Sequence, residues 1–138
     1  MNRFAVCLVA VLLALAPAGA ARAQKSEIVI GTALSLTGRF STEASEHLRA
    51  YQLFIEETNA AGGVVVKSAG KKLPIKLVHY DDQSYPSGSA KLYEKLITSD
   101  KVDLLWSPWG SGPNFAETAV NEKHNVPLVL VSEGAANI

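Results

Sequence analysis

The 138-residue chain holds a single cysteine, Cys7, close to its start. Beyond it the chain can form no disulfide and offers no thiol nucleophile and no thiolate metal ligand. Charge of one sign never runs in a block, and the 13 basic residues are matched by 13 acidic ones. That pattern lacks the electrostatic footprint of a nucleic-acid binder. The three histidines, His47, His79 and His124, show neither HxxxH nor HxH spacing, which argues against a histidine metal centre. The glycines from Gly31 to Gly38 form neither a P-loop, which needs Gly-Lys-Ser/Thr, nor a GxGxxG fingerprint. Ser132-Glu133-Gly134 lacks the Gly-x-Ser-x-Gly of a nucleophile elbow. No nucleophile–base pair and no cofactor loop is found, so the expectation is a protein that is not an enzyme and carries no cofactor.

What is present begins with a leader. Arg3 supplies a short positive start, Phe4 to Leu15 an apolar run, Pro17 and Gly19 a break, and Ala21-Arg22-Ala23 a small-x-small cleavage box. This is the pattern of a secretory signal peptide over residues 1–23, cleaved before Gln24. The run is shorter than the roughly 20 apolar residues a membrane helix takes, and no second one follows. Removing the leader takes away Arg3 and Arg22 but no acid, so the remainder carries an excess of two acidic residues. An exported domain without disulfides is expected to depend on its core alone, which favours a periplasmic location.

From Glu27 the chain alternates short apolar runs with amphipathic segments. Glu27–Leu34 reads as a strand buried on both faces. From Thr42, a fair N-cap, Ala44, Leu48, Tyr51, Ile55 and Thr58 recur at helical spacing, and Gly62-Gly63 ends the helix. Val64–Tyr80 reads as a strand preceded by a small hairpin. Pro86 opens a second helix with Ala90, Tyr93, Leu96 and Ile97 inward. Val102–Trp106 is a third strand. Pro113 opens a third helix with Phe115, Ala116, Ala119 and Val120 inward, and Val126–Val131 is a fourth strand. Such alternation predicts an α/β fold with a parallel, doubly wound sheet and helices on both faces. Ligands of these sheets bind beyond the carboxyl ends of the strands, where strand order reverses. The loops of interest are therefore 35–41, 81–85, 107–112 and 132–137.

Four phrases in order resemble the substrate-binding proteins of branched-chain amino acid ABC transporters. They are Ile28-Val29-Ile30-Gly31 with Leu34-Ser35-Leu36-Thr37-Gly38, then Asn59-Ala60-Ala61-Gly62-Gly63-Val64, then Tyr80-Asp81-Asp82-Gln83-Ser84 with Pro86, and finally Val126-Pro127-Leu128-Val129. The resemblance implies a type I periplasmic-binding-protein fold of two lobes joined by a hinge. Residues 24–138 match the N-terminal lobe alone, so the chain is expected to be an N-terminal fragment. The implied function is capture of an amino acid or similar small carboxylate for uptake, with an ABC transporter permease as partner of the full-length protein. The alternative is the ligand-binding sensor domain of a receptor or regulator.

The resemblance also marks candidate ligand residues. Ser111 falls on the family's carboxylate-gripping serine; a plain N-cap is the other role it could fill. Ser132 and Gly134 lie in a loop that in the family faces the ligand's polar head, with Gly134 where amino-acid binders often carry threonine. Phe40 falls where the family often places an aromatic at the cleft mouth. Trp109, in the loop after the third strand, either lines the cleft or packs beneath its loop. Asp81-Asp82 could suggest a metal or phosphoryl site. Ser35 and Ser107 stand where a receiver domain would need acids, so loop capping is the better reading of the pair.

Overall fold

In the computed structural model, which describes residues 25–131, β1 (Ile28–Leu34) is the strand about which the sheet is arranged. The chain continues through α1 (Ser41–Ala60), β2 (Val64–Val66), a 3-10 turn at Lys67–Ala69, β3 (Lys71–Leu73) and β4 (Ile75–Asp81). It then forms α2 (Pro86–Thr98), β5 (Leu104–Trp106), α3 (Ser111–His124) and β6 (Leu128–Val129). The expected signal peptide, together with Ser132 and Gly134, lies outside the described residues.

β4, β1, β5 and β6 form one sheet in that order, and every pairing in it is parallel. β1 runs beside β4 over its whole length, from Ile28 opposite Ile75 to Leu34 opposite Asp81. β2 and β3 make the small antiparallel hairpin expected ahead of the second long strand. Period-two alternation along β1 sends side chains to two cores. Ile30 and Leu34 pack with Ala44, Tyr51 and Ile55 of α1, while Ala33 packs with Tyr93, Leu96 and Ile97 of α2. Helices therefore cover both faces, as the continuous apolar run of the strand requires.

The Asn-Ala-Ala-Gly-Gly phrase has a geometric cause. The Asn59 side-chain amide donates to the Ile75 carbonyl and accepts from the Ile75 amide, both at 2.8 Å, so it extends the ladder to the first residue of β4. Gly63 sits at φ +87°, and a Cβ there would lie 2.3 Å from the Leu73 carbonyl oxygen. Only glycine meets both demands.

Three expectations need correction. α1 starts at Ser41 with Phe40 in the cap position and no side-chain cap bond, so Thr42 is not the N-cap. α3 starts at Ser111, two residues before Pro113. Its buried face is Pro113, Asn114 and Glu117, whereas Phe115 and Ala119 are exposed and Ala116 and Val120 half-buried. The reason is tertiary. α3 packs along α2, with His124 Nε2 2.9 Å from Glu94 Oε1 and Lys123 Nζ 3.1 Å from the same oxygen. That docking buries Glu117, which acts electrostatically on the buried tyrosines Tyr51 and Tyr93.

Candidate functional site

The chain passes from β1 to β4 on one side of the sheet, then crosses back to β5 on the other side of β1. Strand order thus reverses between β1 and β5. A crevice is expected there, outside their carboxyl ends. The segments that frame it are 35–40 and 107–111.

The first segment is clamped to the loop after β4. Ser35 Oγ donates to Asp82 Oδ1 at 2.6 Å. The Thr37 amide and hydroxyl donate to Asp81 Oδ1 (3.1 Å) and Oδ2 (2.7 Å). Ser84 Oγ donates to the Thr37 carbonyl at 2.9 Å and accepts from the Phe40 amide at 3.3 Å. Gln83 and Ser84 both hold left-handed backbone angles, at φ 57° and 63°, an uncommon conformation for residues other than glycine. Asp81 Oδ1 and Asp82 Oδ1 stabilise this turn by accepting from the Gln83 and Ser84 amides at 2.8 and 2.9 Å. Gly38, at φ +87°, leaves no room for a Cβ, which would stand 2.6 Å from Ser84 Oγ. The acidic pair is therefore loop architecture, as its position implied. Burial acts to raise the Asp81 pKa, but hydrogen bonds from the Thr37 hydroxyl and the Gln83, Thr37 and Leu36 amides outweigh it and hold the carboxyl below its ordinary value.

The second segment is fixed from beneath. The Tyr93 hydroxyl donates to the Trp106 carbonyl at 2.6 Å, and the Tyr51 hydroxyl to the Ser107 carbonyl at 3.0 Å. Burial pushes the Tyr51 phenol up to about 12, partly opposed by its bond to Ser107 and reinforced by the negative Glu117. Burial and then Glu117 also push Tyr93 well above its ordinary value. Both hydroxyls therefore remain donors at any physiological pH. Ser107 Oγ accepts from the Val131 amide at 3.0 Å, and Asn114 Nδ2 reaches back to the Gly110 carbonyl at 2.7 Å.

The two segments meet through Phe40 and Trp109, whose ring centroids are 5.2 Å apart at an interplanar angle of 49°. Trp109 does not simply pack beneath its own loop; it closes against the opposite lip. Ser111 is the first residue of α3, where backbone N–H groups lack helical acceptors and favour an anion. The structure thus assembles Phe40, Trp109 and Ser111 at the β1/β5 boundary. Trp106, by contrast, is core: it is buried against Tyr51, with centroids 4.5 Å apart. A residue not singled out from the sequence joins the site. The Arg39 guanidinium carbon lies 4.6 Å from the Phe40 centroid. The sequence carried no signal for it, because its place depends on Phe40 leaning on Trp109. A hollow of about 400 Å³ at the start of α2, lined by Asp81, Asp82, Tyr85 and Lys91 among others, lies apart from these residues.

An open parallel sheet whose strand order reverses between β1 and β5 is the architecture in which ligands bind outside the carboxyl ends of the strands. The sequence pattern of the periplasmic binding protein family matches residues 27–137, and the chain belongs to that family. Among solved structures it is similar to the branched-chain amino acid transporter substrate-binding protein LivJ of Streptococcus pneumoniae in complex with isoleucine. The two are 29% identical with a TM-score of 0.72, over 81% of this chain and 30% of LivJ. A solute-binding protein of an ABC transporter from Rhodopseudomonas palustris, in complex with benzoate, is 25% identical with a TM-score of 0.65, over 80% of this chain and 28% of that one. The leucine-binding protein LivK of Thermotoga maritima shares the fold at 21% identity and a TM-score of 0.68, over 78% of this chain and 28% of LivK. The resemblance drawn from the four sequence phrases is thus borne out, and the fold is that of type I periplasmic binding proteins. The chain spans about 30% of the length of the LivJ structure it matches.

Proposed function

We propose that residues 24–138 form the N-terminal lobe of an extracytoplasmic solute-binding protein, exported by the signal peptide of residues 1–23 into the periplasm. The lobe captures an amino acid or related small carboxylate and presents it, within the complete protein, to the permease of an ABC transporter. Binding is reversible and no bond is changed. The observation that carries this reading is the convergence of Phe40, Trp109 and Ser111 on the strand-reversal point of a binding-protein fold. The isoleucine and benzoate complexes of the relatives support a small carboxylate as ligand. Ser132 and Gly134 belong to the same proposed site by their place in the sequence, following the last strand.

In this fold a ligand is trapped by two lobes closing about a hinge. One lobe makes only part of the contacts, so its affinity is low. Titration of the chain with isoleucine and with benzoate, followed by amide and indole NMR signals, tests the reading. The expected result is weak, saturable shifts confined to 35–40 and 107–111. Micromolar affinity would contradict the single-lobe assignment, and the absence of any shift there would contradict the site.

A further inference from the structure

At the amino end of the sheet, away from the crevice, the chain carries a basic hairpin. From Thr58 to Tyr80 it holds Lys67, Lys71, Lys72 and Lys76 and no acidic residue. These lysines are spaced along the chain, and the β2–β3 hairpin gathers three of them. Lys71 and Lys72 stand opposite Val66 and Val65, and Lys67 opens the 3-10 turn between the strands. All three are exposed, as are Ser68 and Gly70 of the turn. The two strands pair with each other and with no third strand among the described residues. A Cβ on Gly70 would meet nothing within 4 Å, so the turn projects from the domain.

The charge of this tip is uncompensated. Among the described residues, Lys67, Lys71 and Lys72 form no ion pair, whereas Lys25, Lys76 and Lys123 each meet a carboxylate. Lys72 donates to the Ala61 carbonyl at 3.0 Å, a neutral acceptor that leaves its charge in place. Glu56 and Glu57, near the end of α1, pair with none of the three. Beside the lysines the hairpin shows apolar surface: Val65 is 65% exposed and Val64 37%. Cross-strand partners share a face of a hairpin, so Val65 lies alongside Lys72. The part of the chain after the leader has an excess of acidic residues, and the tip runs against that net charge. Screening over about 10 Å lets the local charge decide what the tip meets.

We propose that the β2–β3 hairpin docks the protein on an anionic phospholipid surface, with Lys67, Lys71 and Lys72 at the headgroups and Val65 against the interface. A projecting tip offers no groove to a peptide and suits a plane. Lysine ammoniums act as point charges and need no fixed partner geometry, which fits mobile headgroups better than a folded acidic partner. β4 leads from the hairpin to the Asp81 loop, and its seven residues set the contact about 20 Å from the carboxyl edge of the sheet. Docking therefore leaves the crevice open, and the inference stands independently of which solute the crevice takes.

The test is co-sedimentation of the exported form, beginning at Gln24, with lipid vesicles. Phosphatidylglycerol vesicles are expected to bind it about a hundredfold more tightly than phosphatidylcholine vesicles, since each lysine contributes about fivefold near an anionic surface. Binding should weaken as salt is raised. The double variant Lys67→Gln with Lys71→Gln, at exposed positions, is expected to keep the wild-type melting temperature and to lose about 25-fold in affinity for phosphatidylglycerol. Lys91→Gln, equally exposed but on α2, is expected to bind as wild type does. Equal binding to the two lipids, or binding to neither, would overturn the inference. So would a double variant that binds like wild type, or a loss in Lys91→Gln as large as that for one hairpin lysine. Capture of polyglutamate without vesicle binding would assign the hairpin to an acidic protein instead and overturn it as well.

Discussion

Tyr51 and Tyr93 approach the end of β5 from opposite faces of the sheet and donate to neighbouring carbonyls, those of Ser107 and Trp106. Each comes from a different helix and a different core cluster. Together they hold the start of the Trp109 loop from both sides. Glu117 of α3 influences both phenols electrostatically, so all three helices bear on one strand end.

Removing either hydroxyl leaves a buried carbonyl without that donor. Tyr93→Phe and Tyr51→Phe are each expected to lower unfolding free energy by about 1–2 kcal/mol, read from urea midpoints at unchanged slope. The loss should be larger for Tyr93, whose side chain is fully buried, than for Tyr51, which is 7% exposed. Equal wild-type stability in both variants would show that these bonds do not hold the loop.

The same pair sets an alkaline limit. Both phenols have folded-state pKa values raised above the unfolded value, Tyr51 to about 12. The folded state therefore retains protons that the unfolded state has lost. Their contribution is complete below the ordinary tyrosine value of about 10, and that of Tyr51 declines as pH rises from there toward about 12. Melting temperature should fall across that window, and the fall should shrink in Tyr51→Phe.

Asp81 sets a limit of opposite sign. Its folded pKa is depressed, so its contribution is present above the ordinary aspartate value of about 3.9 and is lost as pH falls through the folded value. Protonation should release the Thr37 and Gln83 amides, seen as NMR shifts of both signals at acid pH. Asp81→Asn should abolish that titration and loosen Phe40 from Trp109, read as a change in the indole signal.

Gly63 tests the hairpin geometry. With φ +87° and the Leu73 carbonyl oxygen 2.3 Å from any Cβ, Gly63→Ala should cost about 2 kcal/mol or more. Gly70→Ala is the control. Its φ is +65°, but a Cβ there meets nothing within 4 Å. Only the left-handed backbone penalty of about 1 kcal/mol applies. Equal losses in the two variants would refute the steric argument.

Asn59 joins α1 to β4 by one donor and one acceptor. Asn59→Asp keeps the acceptor but sets a carboxylate oxygen against the Ile75 carbonyl in the last turn of the helix, so it should cost at least as much as Asn59→Ala, which removes both bonds without adding a charge. The Ala variant should lose about 1–3 kcal/mol, and exchange of the Ile75 amide with solvent should speed up in it.

The strand β1, the helix ends at Gly62-Gly63 and Pro86, and the paired acids of the loop were legible because each rests on local physics. A strand buried on both faces must be continuously apolar, a left-handed turn needs glycine, and an Asp beside a turn binds its amides. The inward face of α3 was not legible. Apolar Phe115 and Ala119 point to solvent, while Asn114 and Glu117 are buried, because the helix rotates to meet α2 and two tyrosines brought from elsewhere. Arg39 was equally silent: nothing in its neighbours along the chain indicates that Phe40 will lean on Trp109.

By itself, then, the order of residues determined the alternation of strands and helices, the parallel sheet and the loops at its carboxyl edge, since periodicity and turn chemistry act over a few residues. The tertiary structure decided which donors and acceptors of those loops remain for a ligand. That depends on hydrogen bonds between segments far apart in the chain, such as Ser35 with Asp82 and Tyr93 with Trp106, and such pairings exist only once the sheet has brought them together.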